Sequence, residues 1–230
     1  MSVDTVAIIP ARGGSKRCPN KNVALFKGKP LIAHTIDQAL ESGMFDRIIV
    51  SSDDPKIIEI AAGYNVSLDK REYALASENA TLIDVIRNTI TKYNLKSKDI
   101  VGLLLVTAPL RTVQDILGAY EVFCSSNREH SVVSVTFNES PIQLAWRKEQ
   151  GHLNWYFQER ENIATRKQDF EITYRFNDAV IFDTAQNFIH PERNLFGPAP
   201  IPYEMPPERS IYIDYEFQLK LVQLLGKHDE

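Results

Sequence analysis

The sequence predicts an α/β protein built on an open, doubly wound and mostly parallel sheet. Short apolar runs with little polar alternation take turns along the chain with segments of helical periodicity. Such runs are typical of strands buried on both faces, and their alternation with helices is typical of βαβ units. The 230 residues, of which 43% are hydrophobic and 24% charged, suit one domain with a full core. We therefore expect a single domain over residues 1–230.

Apolar runs predict the strands of this sheet. The first covers residues 3–9, and the most apolar, residues 100–106, is expected near the centre of the sheet. The remaining predicted strands are residues 47–50, 66–68, 131–137, 178–182 and 210–213.

Capping patterns predict helices between these strands. Thr81 with Asp84, and Thr112 with Asp115, each match a capping box before an apolar periodic segment. A last helix is predicted from Asp214 toward residue 226. Its apolar residues are expected on one face: Phe217, Leu221, Leu224 and Leu225.

The alternation of strand and helix stops between about residues 137 and 174. This stretch holds both tryptophans, Trp146 and Trp155, together with many charges and no helical period. We interpret it as a small β-rich arm inserted into the domain.

Charge and composition exclude several classes of partner. The net charge is −4 and no basic stripe is present, so a nucleic acid is not an expected partner. The sequence has no signal peptide pattern, and its longest apolar stretch, residues 100–110, is too short to span a bilayer. Cys18 and Cys124 are expected to be reduced thiols, and we expect a cytoplasmic protein without a membrane partner.

The loop after the first strand is the strongest candidate for a binding site. It reads RGGSKR over residues 12–17, and its two glycines would let backbone N–H groups approach a phosphate closely. Its cations, with one more just downstream, match the charge of a triphosphate: Arg12, Lys16, Arg17 and Lys21. The loop is neither a Walker A motif nor GxGxxG, and the alternative interpretation is a solvated basic turn.

Several motifs along almost the whole chain carry a resemblance to a known family. Residues 9–16 (IPARGGSK), Pro19, residues 21–22 and residues 28–31 (GKPL) closely resemble the opening of acylneuraminate cytidylyltransferases, the CMP-sialic acid synthetases. The resemblance implies a nucleotide-diphospho-sugar transferase-like fold. It also implies an enzyme that joins CTP to a nonulosonic acid and releases pyrophosphate.

The resemblance extends to roles around the nucleotide. Arg12 and Lys16 would hold the β- and γ-phosphates, and Lys21 would be a third catalytic cation. Arg71 would face the cytosine, and Arg111 would lie nearby unless it only closes the loop after the central strand. The full set implied to bind the nucleotide is Gly13, Gly14, Ser15, Asn22, Arg71, Ser77, Ala80 and Arg111.

The resemblance implies a sugar-acid side made by two later segments. Arg166 and Arg175 are candidates for the substrate carboxylate, because a guanidinium matches a carboxylate in a two-pronged way. Gln168 and Asn177 would bind hydroxyl or amide groups. The alternative for both is ordinary loop polarity.

The resemblance implies Mg²⁺ as cofactor and Asp214 as its ligand. Where the family carries a pair of aspartates separated by one residue, this chain reads Tyr212, Ile213 and Asp214. Asp214 alone is compatible with Mg²⁺, which binds one or two carboxylates together with substrate phosphates. Asp214 is also a candidate N-cap of the last helix. Asp178 stands where the family usually has glycine, and it could supply negative charge near the cation.

The inserted arm resembles the dimerisation arm of the family and implies a homodimer in which Arg166 reaches the neighbour's site. A hairpin packed on its own chain is the alternative. For the function, the rivals are a non-catalytic relative that binds nucleotide or a partner, suggested by Tyr212 and Leu105, and an enzyme of the same fold that activates another sugar or polyol. The sequence does not choose between neuraminic, legionaminic and pseudaminic acids as substrate.

Overall fold

The computed structural model describes residues 2–77, 80–157, 166 and 169–227. Its strands are β1 (Thr5–Pro10), β2 (Leu25–Phe26), β3 (Lys29–Pro30), β4 (Arg47–Ser52), β5 (Ser67–Lys70), β6 (Ile100–Leu104), β7 (Val132–Phe137), β8 (Trp146–Glu149), β9 (His152–Trp155), β10 (Tyr174–Thr184) and β11 (Ile201–Glu204). Its α-helices are α1 (Leu31–Glu41), α2 (Pro55–Ala62), α3 (Tyr73–Ala76), α4 (Leu82–Lys92), α5 (Val113–Ser125), α6 (Ala185–Ile189) and α7 (Glu216–Lys227).

A mostly parallel sheet forms the centre of the molecule, as predicted. Its seven strands lie in the order β11-β7-β10-β6-β1-β4-β5, and within this sheet only β10 runs antiparallel to its neighbours. The chain passes from β1 outward to β4 and β5, then returns to β6 on the other side of β1. The strand order therefore reverses between β1 and β6, and ligands of open α/β sheets bind beyond the carboxyl ends of strands at such a point.

Helices cover both faces of this sheet. On one face α1, α2, α5 and α7 pack on a core that includes Ile9, Val50 and Phe182. On the other face α4 and α6 pack on a second core around Ile8 and Ile181. Because both faces are covered, β1 and β6 are buried almost throughout, and this explains their continuous apolar sequences.

Both predicted capping boxes are present. The hydroxyl of Thr81 accepts from the backbone N–H of Asp84, whose carboxylate accepts from the N–H of Thr81. Thr112 and Asp115 make the same reciprocal pair at the start of α5. These side chains satisfy N–H groups that have no partner inside the helix.

The predicted strand at residues 210–213 is wrong. This segment follows a 3-10 turn, Pro207–Arg209, and only the N–H of Ile213 reaches the end of β6, where it donates to the carbonyl of Thr107 at 2.8 Å. A strand that was not predicted, β11, pairs in parallel with β7, although it lies in a proline-rich segment. Edge strands tolerate proline because one side of their backbone needs no partner.

The last helix begins later than predicted and presents its apolar face outward. The side-chain oxygen of Gln218 accepts from the N–H groups of Asp214 and Tyr215, so Asp214 is not the N-cap acceptor. The helix packs through Val222 and Gly226, where a Cβ would lie 2.5 Å from the ring of Phe26. The four residues that were predicted to share one apolar face are all exposed: Phe217, Leu221, Leu224 and Leu225.

The inserted segment leaves the sheet where β7 and β10 separate. Phe137 at the end of β7 pairs with Tyr174 at the start of β10. Between them β8 and β9 form a hairpin whose turn residues, Gln150 and Gly151, both have positive φ. Such values are typical of the two-residue turns that connect hairpin strands.

None of the helices in the described ranges has the length and apolar character needed to cross a bilayer.

Candidate active site

Two adjoining cavities lie beyond the carboxyl ends of β1, β4 and β6. One, of about 360 Å³, is lined by Arg12, Ser15, Lys16, Arg17, Lys21 and Asp214. The other, of about 330 Å³, contains most of the remaining predicted nucleotide residues. They share three residues, Arg12, Lys21 and Asp214. The structure thus joins the loop after β1 to the segment before α7, almost 200 residues later in the chain.

The two loop glycines have different surroundings. The N–H of Gly13 donates to the carboxylate of Asp53 at 3.0 Å, and a Cβ at Gly13 would lie 2.8 Å from Asp54. Glycine is needed there because the loop after β4 approaches so closely. A Cβ at Gly14 would meet open space. Gly13 and Gly14 therefore shape the loop, and neither lines the described cavities.

Two cations hold Asp214 at the junction of the cavities. Arg17 donates to one carboxylate oxygen at 2.8 Å, and the ammonium of Lys21 lies 3.4 Å from the other. Lys21 also donates to the carbonyl of Ile213 at 3.0 Å. These contacts fix the orientation of Asp214 and gather positive charge around it.

The side chain of Asn22 fixes the loop after β1 and is not freely exposed to the cavity. Its side-chain amide donates to the carbonyl of Arg12 at 2.9 Å, and the residue is buried. This contact fixes the backbone of Arg12, whose side chain stays exposed on the cavity rim.

Arg71 lies in the second cavity on a chain of polar contacts. Its guanidinium donates to the hydroxyl and carbonyl oxygens of Ser51, and that hydroxyl donates to the buried carboxylate of Asp69. Asp69 is in turn paired with Lys92 at 2.6 Å. Burial lowers the pKa of Arg71, and the nearby carboxylates oppose this shift. The network positions Arg71 at the end of β4.

The rest of the second cavity combines apolar walls with a polar edge. Ser77 and Ala80, both predicted to bind nucleotide, line it on the side of α4. The apolar walls are Leu75, Leu82, Val85 and Leu105. Such a lining suits a flat, partly polar ring.

Asp178 also faces this cavity, from the middle of β10. It lies between Phe176 and Ile181, where the pairing with β7 shifts register, and it has a φ of 58°. Its carboxylate accepts a hydrogen bond from the hydroxyl of Thr107 at 3.3 Å. Burial raises the pKa of Asp178; the Thr107 hydrogen bond opposes this shift and the charge of Asp214 adds to it.

The predicted sugar-acid residues are only partly brought together. The guanidinium of Arg175 lies over the ring of Tyr212, 5.7 Å from its centroid. Its Nη1 is buried with no hydrogen-bond partner among the described residues. Arg166 is exposed and lines neither cavity. Gln168 lies outside the described residues.

The prediction that Arg111 binds nucleotide is not supported by its position. Arg111 is 1% exposed, and its guanidinium donates to the carbonyls of Leu105 and Ala179 and to the side-chain oxygen of Gln38. Burial lowers its pKa to about 10. Its donors are used inside the protein because it closes the loop after β6.

The position of Asn177 likewise does not support its predicted contact with the sugar acid. The residue is fully buried; its amide nitrogen donates to the hydroxyl of Ser210 at 2.9 Å, and its oxygen accepts from Ser134 at 2.6 Å. The side chain points into the protein because the bulge of β10 turns its neighbour Asp178 toward the cavity.

Sequence reasoning missed one polar residue of the cavity, Thr107, which carried no motif. Asp178 was noted as a departure from the family pattern that could supply charge near the cation. The signal that points to Asp178 is a non-glycine residue at a position where glycine is usual. Such a residue indicates a left-handed backbone and a redirected side chain.

Fold and cavities together define an α/β protein that presents a basic site at the switch point of its sheet. The cytidylyltransferase family model matches residues 6–203. The chain therefore belongs to the cytidylyltransferase family, in the group of CMP-nonulosonic acid synthetases.

Similar proteins include several named for the same chemistry. A pseudaminic acid cytidylyltransferase of Campylobacter jejuni is 35% identical over 225 residues, 96% of each chain. A CMP-N,N'-diacetyllegionaminic acid synthase of Legionella pneumophila is 36% identical over 194 residues, covering 80% of this chain and 79% of that one. The N-acylneuraminate cytidylyltransferase of Escherichia coli is 30% identical, with 96% of this chain matching 52% of that protein.

Solved structures agree on the fold. The structure of CMP:2-keto-3-deoxy-manno-octonic acid synthetase complexed with CTP superposes with a TM-score of 0.70 over 99% of this chain and 100% of that chain. Its sequence identity is 15%, so this likeness concerns the fold alone.

Proposed function

We propose that this chain transfers the cytidylyl group of CTP to a nonulosonic sugar acid and releases pyrophosphate. The observation that carries the proposal is the pair of adjoining cavities that meet at Arg12, Lys21 and Asp214. One cavity is strongly basic and the other has apolar walls, so together they match a triphosphate joined to a nucleoside. The names of the relatives support the same reaction.

The nucleotide fits this arrangement in one orientation. The cytosine lies in the second cavity, against Leu82 and Leu105 and beside Arg71. The triphosphate extends into the basic cavity, where Arg12 and Lys16 neutralise the β- and γ-phosphates. The α-phosphate then falls at the junction, next to Lys21.

The reaction forms one bond and breaks one bond at the α-phosphorus. The 2-hydroxyl oxygen of the sugar acid attacks in line, the bond to the bridging oxygen of pyrophosphate breaks, and the hydroxyl proton passes to solvent. Reactions of this kind depend on positioning and charge neutralisation and need no covalent protein nucleophile. Cations on the leaving group act as the charge develops, which is when they accelerate the reaction.

Arg175 is the candidate for the sugar carboxylate. Its unpaired Nη1 and its position on the ring of Tyr212 leave a donor ready for an anion. Arg166 would join it from a second copy of the chain in a homodimer. Both roles are part of the proposal.

A divalent cation fits the donor set at the junction. Mg²⁺ prefers oxygen ligands and binds through one or two carboxylates plus substrate phosphates. Asp214 offers such a carboxylate on the wall shared by both cavities. The bound cation would draw charge from the triphosphate oxygens, while Arg12, Lys16 and Lys21 bind and orient the same group.

A homodimer and a cytoplasmic location complete the proposal. The hairpin β8–β9 and the residues after it expose large apolar side chains, which are typical of an interface core: Trp146, Leu153, Tyr156 and Phe157. Both cysteines are free thiols, which supports a reducing compartment.

A substrate panel tests the function. The purified chain is incubated with CTP, Mg²⁺ and pseudaminic, legionaminic or neuraminic acid, and pyrophosphate release is measured. We expect CTP-dependent release with one of these acids. Binding of CTP without turnover of any acid would instead favour the non-catalytic relative.

A further inference from the structure

Asp178 is a half-buried aspartate of the cavity wall that forms no ion pair within the described residues. Asp69, Asp115 and Asp183 pair with Lys92, Arg209 and Arg193 at 2.6, 2.8 and 3.2 Å, respectively. Within the described residues, no lysine or arginine nitrogen lies within 4.0 Å of the Asp178 carboxylate. A carboxylate withdrawn from water without a cation costs free energy, so a positively charged partner at this place would be stabilising.

Thr107 brings Asp178 close to Asp214. The Thr107 hydroxyl donates to Asp178 at 3.3 Å, and the Thr107 carbonyl accepts from the N–H of Ile213, the residue before Asp214, at 2.8 Å. Both carboxylates line the cavity of about 330 Å³, and their charges are close enough to interact. The bulge of β10 and the segment before α7 therefore each contribute one carboxylate to the same wall.

The backbone of β10 is arranged to aim this side chain. A left-handed φ of 58° is uncommon for a residue with a Cβ, and it coincides with the register shift between β10 and β7. Bulges beside active sites redirect single side chains in this way. Here the bulge turns Asp178 into the cavity while Asn177 stays in the core.

Tyr212 does not supply the second carboxylate beside Asp214. Its ring lies under the guanidinium of Arg175. Its side chain ends in a phenol and not in a carboxylate, the group that Mg²⁺ prefers as a charged ligand. The second acidic group on this wall therefore comes from β10, and not from the segment before α7 where the resemblance places it.

We propose that Asp178 and Asp214 together hold the divalent cation that accompanies CTP, one carboxylate from the bulge of β10 and one from the segment before α7. This inference rests on the proposed function, because it assigns residues to the cation of that reaction. Two carboxylates with the phosphate oxygens of CTP make a donor set suited to Mg²⁺.

Binding of Mn²⁺ in the presence of CTP, without any sugar acid, tests the inference directly. Water-proton relaxation enhancement reports the Mn²⁺ held in the protein complex. We expect Asp178→Asn to weaken this binding at least about tenfold, as expected for the loss of a charged ligand. Asparagine tolerates a left-handed backbone as well as aspartate does, so the fold should be kept, as judged by thermal unfolding.

Matched variants make the result specific. Asp214→Asn should weaken Mn²⁺ binding by a similar factor, and Asp37→Asn, a carboxylate on α1 paired with Lys29, should leave it unchanged. Equal Mn²⁺ affinity in Asp178→Asn and the unaltered chain would overturn the inference, even if turnover falls. Strong Mn²⁺–CTP binding that depends on Asp178, in a chain that turns over no sugar acid, would uphold this site and contradict the proposed function.

Discussion

Lys16 and Arg111, two cations predicted to serve the same nucleotide, have opposite environments. Lys16 is exposed on the loop after β1 and lines the basic cavity. Arg111 is enclosed and uses its donors on Leu105, Ala179 and Gln38. The first is placed to act on a ligand, whereas the second holds together the strand ends on which the cavity is built.

Arg111→Met should therefore be a stability variant. Removing the guanidinium leaves buried carbonyl oxygens without donors, and we expect the free energy of unfolding to fall by about 3 kcal/mol. Urea unfolding measures this loss. An unchanged unfolding midpoint together with lost CTP affinity would return Arg111 to the nucleotide site.

Lys16→Ala should be a catalytic variant with normal stability. Loss of one charge that stabilises the leaving pyrophosphate should lower kcat about 100-fold. Lys98→Ala is the control, since Lys98 is exposed near the opposite end of β6. Steady-state rates of pyrophosphate release compare the two, and equal rates would remove the loop from the proposed mechanism.

Much of the site could be predicted because its residues follow strand ends. The loop at residues 12–17 follows β1 and Arg71 follows β5, where a parallel sheet gathers such ends. Asp214 was predicted from the resemblance, since residues 210–213 form no strand. Asn177 and Asp178 could not be told apart from sequence. Which of two neighbours faces the cavity depends on a bulge in β10, and a one-residue shift reverses the direction of each side chain.

Among the elements, the start of α5 does more than cap a helix. The Asp115 carboxylate that completes the capping box also accepts two hydrogen bonds from Arg209, at 3.0 and 2.8 Å. It thereby ties α5 to the proline-rich segment after β11. Burial alone would raise the pKa of Asp115, but the hydrogen bonds from Arg209 and Thr112 outweigh it and lower the pKa below its ordinary value near 3.8.

Asp115→Asn should consequently reduce stability in a pH-dependent way. A carboxyl whose pKa is lowered in the folded state contributes stability above its unfolded pKa, and this is lost as pH falls through the folded pKa. We expect a loss of about 2 kcal/mol at pH 7 that narrows below about pH 4. Chemical unfolding between pH 3 and 7 measures it.

Asp84→Asn is the matched control for this prediction. Asp84 completes the same capping box on α4 but makes no ion pair within the described residues. Its replacement should cost less than that of Asp115. Equal losses in both variants would mean that the contact with Arg209 adds nothing.

Helices with strong local signals were predicted better than elements defined by distant partners. The capping boxes of α4 and α5 depend on residues three apart, which the sequence displays directly. The strand β11 exists because β7 offers it an edge, and residues 210–213 lack such a partner. The outward face of α7 follows from the close approach of Gly226 to Phe26, which periodicity does not reveal.

At the scale of the whole molecule, the hairpin arm should decide the oligomeric state. We expect the chain to be a dimer by analytical ultracentrifugation, and Leu153→Glu with Tyr156→Glu to shift it to monomers at micromolar concentration. Both side chains are more than half exposed, at 63% and 61%, so the substitutions should not disturb the fold. Val3→Glu, an exposed apolar control away from the arm, should remain dimeric. A monomeric unaltered chain would contradict the prediction.

The position of β10 has a consequence for how the molecule is made. Strands β4, β5 and β6 each pair with a strand that has already been synthesised when they emerge. Strand β7 must wait for β10, which begins 37 residues after β7 ends, at Tyr174 against Phe137. A growing chain therefore carries an unpaired, apolar β7 while the arm leaves the ribosome, and such edges are where nascent proteins associate wrongly. The length of the arm thus sets the interval during which β7 lacks its partner strand β10.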